Sequence, residues 1–193
     1  MAVRLVTGPD IEPVSLDEAK GQCRVDISTD DVLIQGLVQT AREMAETITR
    51  RALITQTWEL VLDGFPDEDR LTIPLPPLQS VTVKYTDADD VEATFSSASY
   101  VVDTYNEPGR IVLRSDATWP NVTLREANGV AVRFVAGYGD AAADVPQAIR
   151  QAMLLMVGHW YENREETVAT GNVQRIPLGI EALLWPYRVL RWL

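Results

Sequence analysis

Hydrophobic spacing divides the chain into three parts. Up to about residue 54, apolar residues recur at intervals of three and four, the period of an amphipathic helix. From about residue 55 to 138 apolar and polar residues alternate, as in strands with one buried face. After residue 140 the helical period returns. The pattern predicts an α+β fold: a mainly helical core of about four helices at 1–54 and 140–193, interrupted by a small antiparallel β subdomain at 55–139.

Two helices are expected in the first part. Ser15 and Glu18 have the spacing of a capping box and open a short helix. A longer helix begins near Asp30 and ends near Arg50, where acidic and basic side chains suit the two ends of the helix dipole. Its predicted buried stripe is Leu33, Leu37, Ala41, Met44 and Ile48, widened by Ile34, Val38 and Ala45, and its predicted exposed face carries Gln39, Arg42, Glu43 and Glu46.

The middle part reads as a series of short strands. The alternating segments are 57–62, 81–85, 92–95, 100–102, 110–113 and 130–138. Pro74, Pro76 and Pro77 interrupt the pattern, and the Asp-rich segment after Thr86 predicts a hairpin tip. One small, mostly antiparallel sheet is therefore expected here.

The helix opened by Pro146 is apolar on every side over residues 152–157. Such a helix must be covered on every side, either at the centre of its own fold or by other copies of the chain. We expect it to pack against the stripe of the longer helix and to reach a neighbouring subunit with its remaining side. The predicted subunit interface is Leu154, Leu155, Val157 and Trp160.

The C-terminal segment is amphipathic and rich in tryptophan. Ile180, Leu183, Leu184, Tyr187 and Leu190 have helical spacing, and Pro186 kinks or restarts the helix. Because Trp and Arg are favoured interface anchors, the segment is either a docking element or a last helix folded back on its own core. The predicted docking residues are Trp185, Tyr187, Arg188, Arg191 and Trp192.

The formal net charge of -11 argues against tight DNA binding, because nucleic-acid affinity comes largely from Lys and Arg. Acidic loop tips could instead line a channel through which DNA slides, or could simply be solvated loops. The candidate channel residues are Asp67, Glu68, Asp69, Asp87, Asp89 and Asp90.

Candidate catalytic chemistry is sparse. His159 is the one histidine and lies in the apolar helix, and Cys23 is the one cysteine, which excludes an internal disulfide and a multi-cysteine zinc site. The turn at Gly137 and Gly139 lacks the Lys-Ser or Lys-Thr of a phosphate loop and is interpreted as a strand-to-helix turn with positive φ. No cofactor, metal or membrane span is expected, and the protein is expected to be soluble and cytoplasmic.

The order of several motifs resembles the head-tail connector (adaptor, head completion) proteins of long-tailed phages and prophages. The segments that carry the resemblance are Ser15-Leu16-Asp17-Glu18-Ala19-Lys20, Tyr100-Val101-Val102-Asp103, Pro108-Gly109-Arg110-Ile111-Val112-Leu113, Trp119-Pro120, Ala136-Gly137-Tyr138-Gly139, Val145-Pro146-Gln147-Ala148-Ile149, His159-Trp160-Tyr161-Glu162-Asn163-Arg164-Glu165, Ile176-Pro177, Leu183-Leu184 and Pro186-Tyr187-Arg188.

The resemblance implies a structural protein without enzymatic activity or cofactor. It implies a dodecameric ring below the portal protein, at the neck of the virion, that continues the DNA channel towards a stopper or tail-completion protein. DNA would pass without specific binding, and subunits could be monomeric in the host cytoplasm before assembly. Two alternatives remain open from the sequence: a monomeric binding module, and a hydrolase using His159.

Overall fold

The computed structural model describes residues 1–164 and 178–190 and has the α+β fold expected from the sequence. The chain forms two compact units. The β unit comprises Met1–Pro9 and Thr55–Tyr138, and the helical unit comprises Asp10–Ile54 and Gly139–Leu193. The first residues were expected in the helical core, but they form a strand of the β unit instead.

The helical unit contains, among its described residues, four α-helices: α1 (Leu16–Cys23), α2 (Asp31–Thr49), α3 (Gln147–Glu162) and α4 (Leu178–Leu184). The capping box of α1 is confirmed, because the Glu18 amide donates to Ser15 Oγ at 3.2 Å and the Ser15 amide donates to Glu18 Oε2 at 2.8 Å. Short 3-10 turns at Ala142–Asp144 and Trp185–Tyr187 precede α3 and follow α4.

The buried face of α2 is rotated slightly from the predicted stripe. Its centre is Ile34, Val38, Ala41 and Ala45, whereas Leu33 is 40% exposed. Arg42 was expected on the solvent face but is buried, which corrects that prediction. Its guanidinium lies 2.8 Å from Glu12 Oε2 and 2.9 Å from Glu46 Oε2, so two carboxylates compensate the buried positive charge. Helical period alone does not reveal such a partner, because Glu12 lies outside the helix.

Helix α3 occupies the centre of the helical unit, where it packs against α1, α2 and α4. Ile149, Ala152, Met153, Met156 and Val157 are fully buried there. Helices of the same chain, rather than other copies, therefore cover most of the surface of α3. The predicted packing of α3 against α2 is confirmed.

The β unit contains two sheets rather than the one expected. The strands are β1 (Ala2–Thr7), β2 (Gln56–Leu62), β3 (Arg70–Thr72), β4 (Leu78–Thr86), β5 (Glu92–Thr94), β6 (Tyr100–Asp103), β7 (Arg110–Leu113) and β8 (Val130–Ala136). One sheet has the order β1-β2-β8-β4-β5 and the other β3-β7-β6, and every strand pair is antiparallel. Strands β1 and β3 were not predicted from the alternation.

The core of the β unit is formed by one face of the larger sheet and a cluster of aromatic rings. Leu60, Val83, Val132 and Phe134 are buried on that face. Phe65 stacks on Trp119 with ring centroids 5.2 Å apart, and Phe95 stacks on Tyr100 at 5.7 Å. Gly137, just after β8, has φ 140, so the predicted positive-φ turn is confirmed.

Candidate assembly surfaces

The outward side of α3 is the first predicted interface. Leu154, Leu155 and Trp160 are half-buried, which leaves each of them some free surface. Val157 is fully buried within the chain, so it has no surface to offer a neighbour and its place in the predicted interface is wrong. The candidate interface on α3 is therefore narrower than expected and consists of Leu154, Leu155 and Trp160.

Both ends of α3 are held in place by side-chain hydrogen bonds. Near its start, Arg150 Nε donates to the Pro13 carbonyl at 2.9 Å. At its end, Tyr161 Oη and Arg164 Nη2 donate to Asp30 Oδ2 at 2.6 Å and 2.8 Å. The hydrogen bond from Tyr161, assisted by Arg164, lowers the pKa of Asp30. The half-buried side of α3 is thus presented on a fixed helix.

The C-terminal segment combines a folded-back part with an outward part. Ile180 and Leu184 of α4 are buried, as a helix packed on its own core requires. Beyond α4, Arg51 Nε donates to the Tyr187 carbonyl at 2.6 Å and the Val189 amide donates to the Thr49 carbonyl at 2.9 Å. These bonds hold the segment against the end of α2.

The outward part of that segment carries an exposed tryptophan. Trp185 is 64% exposed, and the Arg188 guanidinium lies 5.5 Å from the centre of its ring, a cation-π distance. Tyr187 is half-buried. Arg191 and Trp192, also predicted as docking residues, lie outside the described residues. The described part of the predicted docking surface is therefore Trp185 with Arg188, at the edge of a folded-back segment.

The first acidic tip, Asp67, Glu68 and Asp69, is exposed but has basic neighbours. The three residues line a shallow groove of about 460 Å³ together with Arg70, Arg110 and Val112. Glu68 Oε2 lies 3.0 Å from Arg70 Nε, and the Glu68 carbonyl accepts a hydrogen bond from Trp119 Nε1 at 2.9 Å. Part of its negative charge is thus neutralised locally.

The second acidic tip is the predicted hairpin turn between β4 and β5. Asp87 Oδ1 accepts hydrogen bonds from the amides of Asp89 and Val91, both at 2.9 Å, so Asp87 shapes the turn. Asp90 has φ 59, a conformation that Asp tolerates better than most residues. Asp89 and Asp90 are exposed, and Asp90 Oδ1 lies 4.0 Å from Arg125 Nη1.

Sequence reasoning missed the most open apolar strand. All six residues of β1 are exposed, including Val3 at 38% and Leu5 at 48%. The alternation of Val3, Arg4 and Leu5, followed by the breakers Gly8 and Pro9, was the available signal. An alternation over only six residues is a weaker signal than the helical periodicity that follows, so the segment was assigned to the helical core.

The outer face of the sheet beside β1 carries a network of charges. Glu59 of β2 is buried and accepts hydrogen bonds from Arg4 and from Arg133 Nη2, the latter at 3.1 Å. Burial raises the pKa of Glu59, but these two hydrogen bonds and the positive charges of Arg4 and Arg133 together outweigh burial, so the net pKa is lowered. The network ties β1 to β2 and β8.

The described residues offer little catalytic chemistry. Within 1–164 and 178–190 no three His, Cys, Asp or Glu side chains are grouped so as to hold a metal ion. His159 is half-buried on α3, and burial raises the pKa of the half-buried Cys23 thiol. Asp103 and Arg110 form a 2.9 Å ion pair between β6 and β7, a structural brace. No helix in these ranges combines the length and apolarity needed to cross a bilayer.

Comparison with known proteins identifies relatives of the fold. Residues 13–106 match the family model of phage gp6-like head-tail connector proteins. No curated protein sequence matches the chain significantly. Three solved chains share the fold over 100% of this chain and 98% of their own. One comes from the virion of a native gene transfer agent (GTA) particle, with 23% identity and a TM-score of 0.82.

The other two structures come from particle necks. One is the neck of an empty GTA particle computed with C6 symmetry, with 24% identity and a TM-score of 0.82. The second is the neck of a native GTA particle computed with C12 symmetry, with 24% identity and a TM-score of 0.78. At this identity they show a shared fold. Together with the family model they confirm that the chain resembles phage head-tail connector proteins.

Proposed function

We propose that this chain is the head-tail connector of a tailed phage, a prophage or a related particle. Copies form a dodecameric ring below the portal protein, continue the DNA channel and present a docking surface for a stopper or tail-completion protein. The observation that carries the proposal is the match of residues 13–106 to the connector family, supported by the shared fold with chains from symmetric particle necks. A structural role without catalysis is consistent with these relatives.

The net charge of -11 suits passage of DNA without specific binding. Exposed carboxylates repel phosphate, so a channel lined by them would not retain DNA. We propose Asp67, Glu68, Asp69, Asp89 and Asp90 as channel-facing candidates, because these five are exposed, whereas Asp87 is engaged in its own turn. Assembly would occur in the host cytoplasm from subunits that can be monomeric.

Imaging of the capsid vertex tests the ring. Cryo-electron microscopy of particles from the source phage or prophage should show a ring of this chain beneath the portal. Particles made without the chain should lack that layer and should not join tails. A vertex that lacks the ring in particles made with the chain would contradict the proposal.

Leu154, Leu155 and Trp160 are proposed to contact a neighbouring subunit. Leu155→Glu should weaken assembly, because it places a charge on a half-buried helix surface that the neighbour covers. Val32→Glu is a matched control, since Val32 on α2 is 82% exposed and belongs to no proposed surface. If the two variants assembled equally well, as measured by sedimentation, the proposal that α3 contacts a neighbouring subunit would be wrong.

Trp185 and Arg188 are proposed to dock on the portal protein, with Arg191 and Trp192 as further candidates. A cut before Leu184 would delete a buried side chain, so the informative truncation ends the chain after Leu184. This variant should fold but fail to join portal-bearing heads. Trp185→Ala with Arg188→Ala, which keeps the backbone contacts, should show the same defect. Normal loading of both variants would exclude this segment as the docking element.

A further inference from the structure

The five-stranded sheet has two open edges that run in the same direction. Its order is β1-β2-β8-β4-β5 and each neighbouring pair is antiparallel, so with an odd number of strands β1 and β5 point the same way. Within the described residues, β1 pairs only with β2 and β5 only with β4. An unpaired edge is a template for another strand.

The register shows which side chains share a face across the whole sheet. Arg4 lies opposite Glu59, Glu59 opposite Arg133, and Arg133 opposite Thr82. Two residues further along β4, Lys84 lies opposite Thr94, and Thr86 lies opposite Glu92. Because side chains alternate between faces, Arg4 at one edge and Glu92 at the other are on the same face.

The opposite face is apolar at both edges. Val3 lies opposite Leu60 and Leu5 opposite Trp58, and at the far edge Ala93 lies opposite Tyr85. Val3 and Leu5 thus extend the core face to the edge of the sheet, where no other strand within residues 1–164 and 178–190 pairs with β1 on its outer side. Val91, just before β5, is also exposed, at 58%.

We propose that β1 of one copy pairs in parallel with β5 of the next copy, so that the sheet continues from subunit to subunit. This inference rests on the ring of the proposed function. The register places Val3 beside Val91, Arg4 beside Glu92 and Leu5 beside Ala93. Apolar side chains then meet on the core face, and opposite charges meet on the outer face.

Ring geometry explains the parallel direction. A head-to-tail ring uses two different patches of each subunit, and a twelvefold ring relates neighbouring copies by a rotation of about 30°. So small a rotation nearly preserves strand direction, and most completely when the strands run nearly parallel to the ring axis. The β1 strand of the next copy then runs with β5, since both edges of one copy already point the same way.

Charge decides between this partner and a second β1 strand. An antiparallel β1–β1 pair centred on Arg4, which keeps the two core faces on the same side, would place Arg4 opposite Arg4, and like charges directly opposite each other are destabilising. The side chains of Arg4 and Glu92 are 67% and 58% exposed, so both can reach a partner while keeping their contacts to Glu59 and Lys84. Pairing of β1 with β5 is therefore favoured.

Disulfide trapping tests the register directly. In a Cys23→Ala background, the variant Val3→Cys/Val91→Cys is oxidised over a range of protein concentrations. We expect a ladder of covalent multimers on a non-reducing gel, because each copy would be linked on both sides. The matched control Val3→Cys/Val101→Cys should give no ladder, since Val101 is 45% exposed but lies on β6 of the other sheet.

Native mass spectrometry and electron microscopy of the same samples show whether closed rings form. The edge pairing and the proposed ring can therefore be tested separately. Rings without a ladder would overturn the edge pairing and leave the ring intact. A ladder without closed rings would support the pairing and count against the ring. A dimer band alone, a ladder equal to that of the control, or neither rings nor ladder would overturn the pairing.

A charge exchange gives a second test. Arg4→Glu and Glu92→Arg should each weaken self-association at least tenfold, because each places like charges side by side. The double variant Arg4→Glu/Glu92→Arg should recover most of the loss, as expected of a direct pair. Additive losses in the double variant, measured by sedimentation at constant salt and in variants whose urea denaturation shows that the subunit keeps its stability, would contradict the contact.

Discussion

Helix α3 and strand β1 differ in how far the fold covers their apolar side chains. In the sequence α3 is the conspicuous element, with six consecutive apolar residues at 152–157, yet α1, α2 and α4 cover most of it. Strand β1 is inconspicuous, yet all six of its residues are exposed at the edge of a sheet. The number of apolar residues therefore indicates how much surface must be buried. The position of each element in the fold determines which apolar side chains stay exposed.

The largest expected effect separates the two sides of α3. Met153→Ala removes a fully buried side chain and should lower the free energy of unfolding by about 2–5 kcal/mol. Leu155→Ala, on the half-buried side, should cost clearly less because water already reaches part of it. Urea denaturation of both variants checks the difference. Equal losses would mean that α3 has no outward side and would break the contrast with β1.

The next effect concerns the charge network that holds β1. Glu59→Gln should lower the free energy of unfolding at pH 7 by about 1.5–3 kcal/mol, since it weakens hydrogen bonds between charged groups.

The pH dependence follows from the lowered pKa of Glu59. The contribution of this carboxylate is present above its unfolded pKa of about 4.3 and is lost as pH falls through the lower folded pKa. The gap between wild type and Glu59→Gln in urea denaturation should therefore close in acid. A gap that stays constant from pH 7 to pH 3 would show that the network does not stabilise β1.

A smaller effect on stability is expected at the open edge itself. Leu5→Lys should change the free energy of unfolding of the separated subunit by about 1 kcal/mol or less, because Leu5 is already about half exposed. The same change should strongly reduce self-association, since an inward-pointing charge blocks a sheet edge. Thermal denaturation and sedimentation of one sample measure both quantities. A large loss of stability would show that β1 belongs to the core rather than to an interface.

The smallest effect is expected at the first acidic tip. Asp67→Asn with Asp69→Asn should leave the free energy of unfolding within about 0.5 kcal/mol of wild type, because both side chains are exposed. If the tip faces the DNA channel, the variant should hold DNA more firmly at low salt, as measured by gel shift of assembled rings. Unchanged retention would assign this tip to the outer surface.

Local signals determined much of the fold. The capping box at Ser15 and Glu18, the ends of α2 and the turn at Gly137 follow from residues near one another in sequence. Alternation likewise located β2, β4, β6, β7 and β8, because a strand with one buried face records that burial along its own length. The resemblance to connector proteins also came from the order of motifs in the sequence alone.

Tertiary structure decided the rest, because burial depends on partners that are distant in the chain. Arg42 is buried because Glu12 reaches it from outside α2, and Val157 is lost to any interface because the helical unit encloses it. The joining of β1 to β2, across about fifty residues, created the open sheet edge. The sequence by itself determined most of the helices and strands and the amount of apolar surface. Long-range packing determined which part of that surface stays exposed to a neighbouring subunit.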